Sequence, residues 1–243
     1  MEPEIETGSI VFSGKAYPFS AVRILKDGQI AATTASGANG DFETTLTHLT
    51  VGSYSFAVYA YDSNGNKSKT IAYARVISKD EIEEISDVII PPTLSIDDNK
   101  VKKGNKITFS GQTAPSAKVT IYLISDNDSW SLNATAGSNG YYSYELDTDD
   151  YDEGNYIISA KATINGLTSE YSEEVSLTTT TNYSSECSTK KGDLNCDARV
   201  NLIDFSILIN WFDSGNFPSK VDINTDKKVN LSDFSVMMYY WTG

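Results

Sequence analysis

The sequence has little of what most enzyme and metal chemistry needs. It has one histidine, His48, and two cysteines, Cys187 and Cys196. A lone histidine excludes a histidine-pair zinc site, and in sequence it lies far from either cysteine, so neither thiol has a partner base. His48 is expected to be a loop or surface residue. The cysteines are not spaced C-x-x-C, which argues against a redox or zinc motif; they read either as a disulfide pinning a linker to the loop that follows, or as two unpaired thiols. Basic residues are scarce too: 19 Lys and Arg stand against 33 Asp and Glu, for a net charge of -14. That sign repels phosphate backbones and anionic lipid heads, which excludes nucleic acid and membrane insertion. No apolar run approaches the roughly 20 residues that span a bilayer. The opening MEPEIETGS lacks the basic start and apolar middle of a signal peptide, so any export signal is expected to be absent from this chain. No glycine loop that could cradle a phosphate is present, and SGANG at 36–40 reads as a hairpin turn.

What is present is enough apolar and aromatic content, 40% and 11%, for packed cores. It is arranged in a repeat. FSGKAYPFSAVRI at 12–24 returns as FSGQTAPSAKVTI at 109–121, and TTASGANGDFETTL at 33–46 returns as ATAGSNGYYSYEL at 134–146. In the first unit Phe56, Val58 and Ala60 alternate with Ser55, Ala57, Tyr59 and Tyr61; in the second, Ile158, Ala160 and Ala162 alternate with Ser159 and Lys161. Period-2 patterning with one buried face, and Asn-Gly pairs at 39–40, 64–65, 139–140 and 165–166, predict antiparallel strands joined by tight turns. The expected fold class is mainly β, two tandem immunoglobulin-like sandwiches at 1–78 and 93–178, with a linker at 79–92 that contains KDEIEEISDV and Pro91-Pro92. A second linker, 179–190, is rich in Thr and Ser and precedes a small helical segment, 191–243. There the period changes: Phe205, Leu208, Ile209 and Phe212, then Phe234, Met237, Met238 and Trp241, stand at i, i+3, i+4 and i+7. Two short amphipathic helices are predicted.

Each helix follows a twelve-residue segment of oxygen donors, DLNCDARVNLID at 193–204 and DINTDKKVNLSD at 222–233. Calcium takes six to eight oxygens, and a loop of this length supplies them from positions 1, 3, 5, 7, 9 and 12. In the first loop these are Asp193, Asn195, Asp197, the Arg199 carbonyl, Asn201 and Asp204. The second offers Asp222, Asn224, Asp226, the Lys228 carbonyl, Asn230 and Asp233. Position 6, usually glycine, is Ala198 or Lys227. A non-glycine residue held left-handed there costs roughly 1 to 2 kcal/mol, about one decade of affinity. Extracellular calcium can cover that loss, since sites outside cells work at dissociation constants on the order of 10⁻⁴ to 10⁻³ M.

Two such loops in tandem, each beginning D-x-N-x-D and ending V-N-L-x-D-F-S, resemble a type I dockerin module over Lys191 to Gly243. The resemblance implies two bound calcium ions, an Asp at position 12, and docking onto a cohesin through loop positions 10 and 11. Typical cellulosomal members carry Ser-Thr at those positions. Here they are Leu202-Ile203 and Leu231-Ser232, so an apolar patch replaces the hydroxyl pair. Leu202 and Ile203 either face a partner or pack on the second helix or a sandwich; the partner is then a cohesin-like module, another protein module, or the chain's own immunoglobulin-like domains. The first two units resemble, through F-S-G-x-x-x-P and N-G-x-[FY], the repeats that precede dockerin-like ends in some secreted surface proteins.

The expected function is that of a non-catalytic extracellular surface, adhesion or scaffold protein. An alternative is carbohydrate binding, with a cell-surface polysaccharide meeting Trp130, Tyr141, Tyr142, Tyr144 and Tyr151; against it, alternate members such as Tyr142 are expected to fill the sandwich. An enzyme is not expected, because acidic runs such as DTDDYDEG and DEIEE read as solvated loop or linker.

Overall fold

The computed structural model describes residues 5–181, 191–195, 199–215 and 217–242. The chain divides into two compact units, residues 1–181 and 182–243.

The first unit holds two β-sandwiches. In the first sandwich β1 (Thr7–Lys15), β4 (Asp41–Thr50) and β7 (Ile82–Ile89) form one sheet, in the order β4-β1-β7. The facing sheet, in the order β3-β2-β5-β6, is made by β2 (Ala21–Lys26), β3 (Gln29–Ala35), β5 (Gly52–Ala60) and β6 (Ile71–Ile77). Phe56, Val58 and Ala60 point inward as their alternation requires, and Phe56 meets Phe12 edge-on at 5.5 Å between ring centroids. Burying such side chains contributes about 1.5 to 3 kcal/mol each.

The second sandwich repeats the plan. β10 (Lys106–Gln112) lies between β13 (Tyr141–Asp147) and the short β8 (Ser95–Ile96). Opposite it run β12 (Ser129–Thr135), β11 (Lys118–Ile124), β14 (Gly154–Ile164), β16 (Val175–Thr180) and β9 (Lys100–Lys102), with β15 (Leu167–Thr168) paired to β14.

Several sequence expectations need correction. Residues 82–89 are not linker: they form β7, parallel to β1. The register shifts between Phe12 and Gly14, and Asp87 turns left-handed at φ +58, so the inward residues are Ile85, Val88 and Ile89, not every second one. That bulge erased the period-2 signal and left a charged stretch resembling a linker. Pro91 and Pro92 are also buried. The Tyr17 hydroxyl donates to the Pro91 carbonyl, the Tyr142 hydroxyl donates to the Thr93 carbonyl at 2.6 Å, and Thr93 N donates to Gln112 O at 3.0 Å. The passage between sandwiches is therefore packed and hydrogen-bonded. Thr179 and Thr180 belong to β16, and the remainder of the second predicted linker, 182–190, lies outside the described residues. His48 is exposed but sits within β4, at φ +57 in a bulge opposite β1.

The turns differ as well. Asn165-Gly166, with φ +51 and +82, closes the β14–β15 hairpin, and Asn64-Gly65 sits inside the Tyr61–Lys67 bridge. SGANG and its repeat around Asn139-Gly140 are instead corners where the chain crosses from one sheet to the other. Gly40 is required there: an added Cβ would lie 2.4 Å from the Ala16 carbonyl oxygen and 3.0 Å from Pro115 Cδ. Its repeat, Gly140, meets Thr113 O and Pro18 Cδ in the same way. Each sandwich thus presents its glycine corner to the other's proline.

The second unit contains α1 (Leu202–Asn210), a 3-10 turn (Ser219–Val221) and α2 (Leu231–Tyr239) around Leu194, Val200, Leu208, Val221, Ile223, Val229 and Met237. No described helix is long and apolar enough to cross a membrane.

Candidate metal centre

In the second loop Asn230 caps α2, its Oδ1 accepting Ser232 N at 2.7 Å, while Asp233 reaches back to accept Asn230 N at 2.9 Å. This reciprocal box satisfies backbone N–H groups that a helix start leaves open. The other oxygen of Asp233 accepts Asn224 N at 3.1 Å, tying the start of the loop to the helix. Asp222 accepts Asp226 N (3.0 Å) and Lys227 N (2.7 Å), and Asp226 accepts Lys228 N (2.9 Å). Lys227 stands at φ +66, the left-handed conformation expected of position 6.

These bonds fold the loop back on itself, and carboxylate oxygens of Asp222, Asp226 and Asp233 come within 4.8 Å of one another. Oxygens bound 2.3 to 2.6 Å from one calcium ion can lie at most about 5 Å apart, so the donor set fits a shared ion. Asp222, Asp226, Asp233, Asn224 and the Lys228 carbonyl would hold it. Asn230 is committed to its cap, which suits an outer role through water.

The first loop repeats the design. Asn201 caps α1, and the fully buried Asp204 accepts Leu194 N (2.7 Å), Asn195 N (2.9 Å) and Asn201 N (2.9 Å). Asp193, the first residue of that loop, is also buried. Asp197, Ala198, Cys196 and Cys187 lie outside the described residues, and with them the predicted disulfide and one predicted ligand.

The two loop-helix halves meet as related copies. Phe205 and Phe234 touch at 5.3 Å between centroids; Asp213 N donates to Val229 O at 2.9 Å, and Thr242 N to Val200 O at 2.9 Å. Asp213 and Thr242 were not singled out in the sequence, although both stand at the same offset in the repeat. Lys220 Nζ adds a bond to the Leu194 carbonyl at 2.9 Å.

The helical stripes are narrower than predicted. Leu208 and Met237 are buried and Phe205, Phe234 and Trp241 half-buried, but Ile209, Phe212 and Met238 are exposed. The buried position-12 aspartates occupy the inward line one turn earlier and rotate the apolar face towards Phe205 and Phe234. Leu202 and Leu231, in the first turns, are 69% and 68% exposed, and Ile203 and Ser232 are exposed beside them. Leu202 and Ile203 therefore do not pack on the second helix.

The aromatic candidates of the second sandwich separate. Tyr142 is buried, and Trp130, Tyr144 and Tyr151 pack partly against the core, with Trp130 5.2 Å from Tyr151 and 5.8 Å from Tyr156. Of the five, only Tyr141 is exposed.

Residues 191–241 match the family of the dockerin type I domain. The dockerin match covers the second unit and leaves the sandwiches unassigned. No curated protein matches the sequence. Among solved structures, 72% of the chain overlays 50% of a tetra-tandem repeat from the extending region of a large adhesion protein (23% identity, TM-score 0.32). Another 73% alignment covers 92% of fibronectin(III)-like modules of Clostridium thermocellum CbhA (16% identity, TM-score 0.25). The chain spans half the length of the first of these. Overlaps this loose transfer no role.

Proposed function

We propose that the protein is a non-catalytic extracellular surface, adhesion or scaffold protein in which two joined sandwiches carry a calcium-stabilised dockerin that docks onto a protein module. The observation that carries this reading is the convergence of Asp222, Asp226 and Asp233 in a loop whose helix begins with exposed Leu231. Bringing those carboxylates together without a cation is unfavourable, and an ion neutralises them while holding both ends of the loop. Two calcium ions, one per loop, follow from the repeated donor set. Millimolar calcium outside a cell suits a loop with lysine at position 6.

Leu202 and Leu231 occupy equivalent places at the two helix starts and are the docking residues of this reading, with Ile203 and Ser232. Exposed apolar side chains at matched positions favour a partner with an apolar groove over one that recognises hydroxyls. The test is surface plasmon resonance of the full chain against immobilised cohesin modules whose docking groove is apolar, in calcium and in EDTA. Binding is expected in calcium alone and is expected to vanish in Leu202→Asp/Leu231→Asp. Binding that ignores both EDTA and the double substitution would overturn the assignment.

A further inference from the structure

Because the sandwiches are copies of one sequence plan, each serves as a control for the other. Their corners match bond for bond: Phe19 N donates to Gly37 O at 3.4 Å as Ser116 N does to Gly137 O at 3.3 Å, and Ala16 N to Gly40 O at 2.8 Å as Thr113 N does to Gly140 O at 2.9 Å. The residue after the corner proline is left-handed in both, φ +55 at Phe19 and +59 at Ser116. The conformation thus belongs to the corner, and the side chain is a separate choice. A bulky residue is strained at positive φ. Yet the first sandwich places a phenylalanine there, and the residue is 76% exposed, so the core gains little from it. Strain kept without a packing return points to a contact made outside the fold.

Phe19 stands at a cleft of about 680 Å³ where the two sandwiches meet, lined also by Tyr61, Ser63, Gln112, Ser138 and Asn139. That volume falls in the range of small-ligand sites. Its polar lining is hydroxyl and amide, and Pro18, Ala21 and Ala38 add apolar wall beside the two rings. Its one carboxylate, Asp62, is already occupied, accepting Asn64 N (2.9 Å), Asn66 N (2.8 Å), Asn66 Nδ2 (3.0 Å) and the Thr93 hydroxyl (2.9 Å). Gln112 is held by Ser63 N, which donates to its Oε1 at 2.8 Å and leaves the amide NH₂ as a donor group.

A second cleft at the joint, about 500 Å³, has a different character: Lys15, Asp41, Glu43 and Asp87 line it, and Lys15 pairs with Asp41 at 2.7 Å. Lys15 and Asp41 oppose each other across β1 and β4; their counterparts across β10 and β13 are Gln112 and Tyr141. Of the counterparts, Gln112 lines the cleft at Phe19, so an amide stands there where the other cleft has the lysine of an ion pair.

The exposed Phe19 ring beside uncharged donors and acceptors matches a ligand with apolar C–H faces and many hydroxyls. We infer that the cleft at Phe19 binds a neutral oligosaccharide, the ring stacking on one sugar face while Gln112 and Asn139 hydrogen-bond its hydroxyls. The site is separate from the calcium loops.

Isothermal titration of the full chain with cellohexaose, xylohexaose and mannohexaose, and with an oligogalacturonate as the acidic contrast, tests this. At least one neutral hexaose is expected to bind, with and without EDTA. Phe19→Ser, which copies Ser116, is expected to weaken that binding about ten-fold or more, with the unfolding temperature unchanged or raised; Phe19→Gly serves as a second variant suited to the same backbone. Asp41→Asn, in the other cleft, should leave binding intact. Absence of neutral-sugar binding, preference for the acidic oligomer, or binding that survives both Phe19 variants would overturn the inference.

Discussion

Replacing Lys227 with glycine asks where the strain at position 6 is felt. Lys227 holds φ +66 while its N–H donates to Asp222 at 2.7 Å, so the left-handed turn is what lets the loop fold onto its first carboxylate. Left-handed backbone costs an L-residue roughly 1 to 2 kcal/mol, and glycine returns about 0.5 to 1 kcal/mol of that through its greater freedom when unfolded. The net gain is about 1 kcal/mol, or roughly five-fold in an equilibrium constant. If the dockerin folds only with calcium, the gain appears as a calcium dissociation constant lowered about five-fold. If the loop is already formed without the ion, affinity stays put and the unfolding temperature in EDTA rises by about 4 to 8 °C. Titration calorimetry and scanning calorimetry on the full chain separate these cases, with Lys227→Ala controlling for the lost charge. A glycine variant no different from the alanine variant in either measurement would refute the idea that backbone handedness limits this loop.

Other perturbations have defined outcomes. At free calcium 100 times the dissociation constant, linkage adds about 2.7 kcal/mol per ion and about 5 kcal/mol for two, so the helical transition should rise by about 20 to 40 °C in calorimetry while the sandwich transition stays fixed; a shift of the sandwiches alone would contradict the site. Gly40→Ala places a Cβ 2.4 Å from the Ala16 carbonyl oxygen and should cost about 2 to 5 kcal/mol in urea unfolding. Gly28→Ala, also left-handed but with nothing within 4 Å, should cost only about 1 to 2 kcal/mol, and equal losses would mean that the close contacts at the Gly40 corner add no constraint. Burial raises the Tyr17 and Tyr142 phenols above the ordinary value. Folded, they keep protons that the unfolded chain releases near pH 10, so their contribution is whole below that pH and declines as pH climbs past it. The urea midpoint should fall above about pH 10, and Tyr17→Phe/Tyr142→Phe should flatten that fall; an unchanged slope would show that other groups set it.

The sequence alone determined whatever repeats at short range. Alternation in β5 and β14 marked their inward faces because a strand shows each side to one environment, and the spaced oxygens of 193–204 and 222–233 marked the loops because chain-local donors can reach one ion. The left-handed turn at Lys227 was likewise implied by its loop position. Tertiary structure decided what depends on a distant surface. β7 read as a charged linker because its bulge broke the period, and only pairing with β1 reveals it as a strand. The inward line of α1 and α2 was set by Asp204 and Asp233, polar residues that a hydrophobic pattern passes over but that the loop's own N–H groups satisfy. The role of Trp130 was decided by the sheet it packs under. The exposure of Phe19 depends on a corner whose geometry is fixed jointly by residues 16, 37 and 40, and its setting beside Gln112 and Asn139 exists only because the two sandwiches meet.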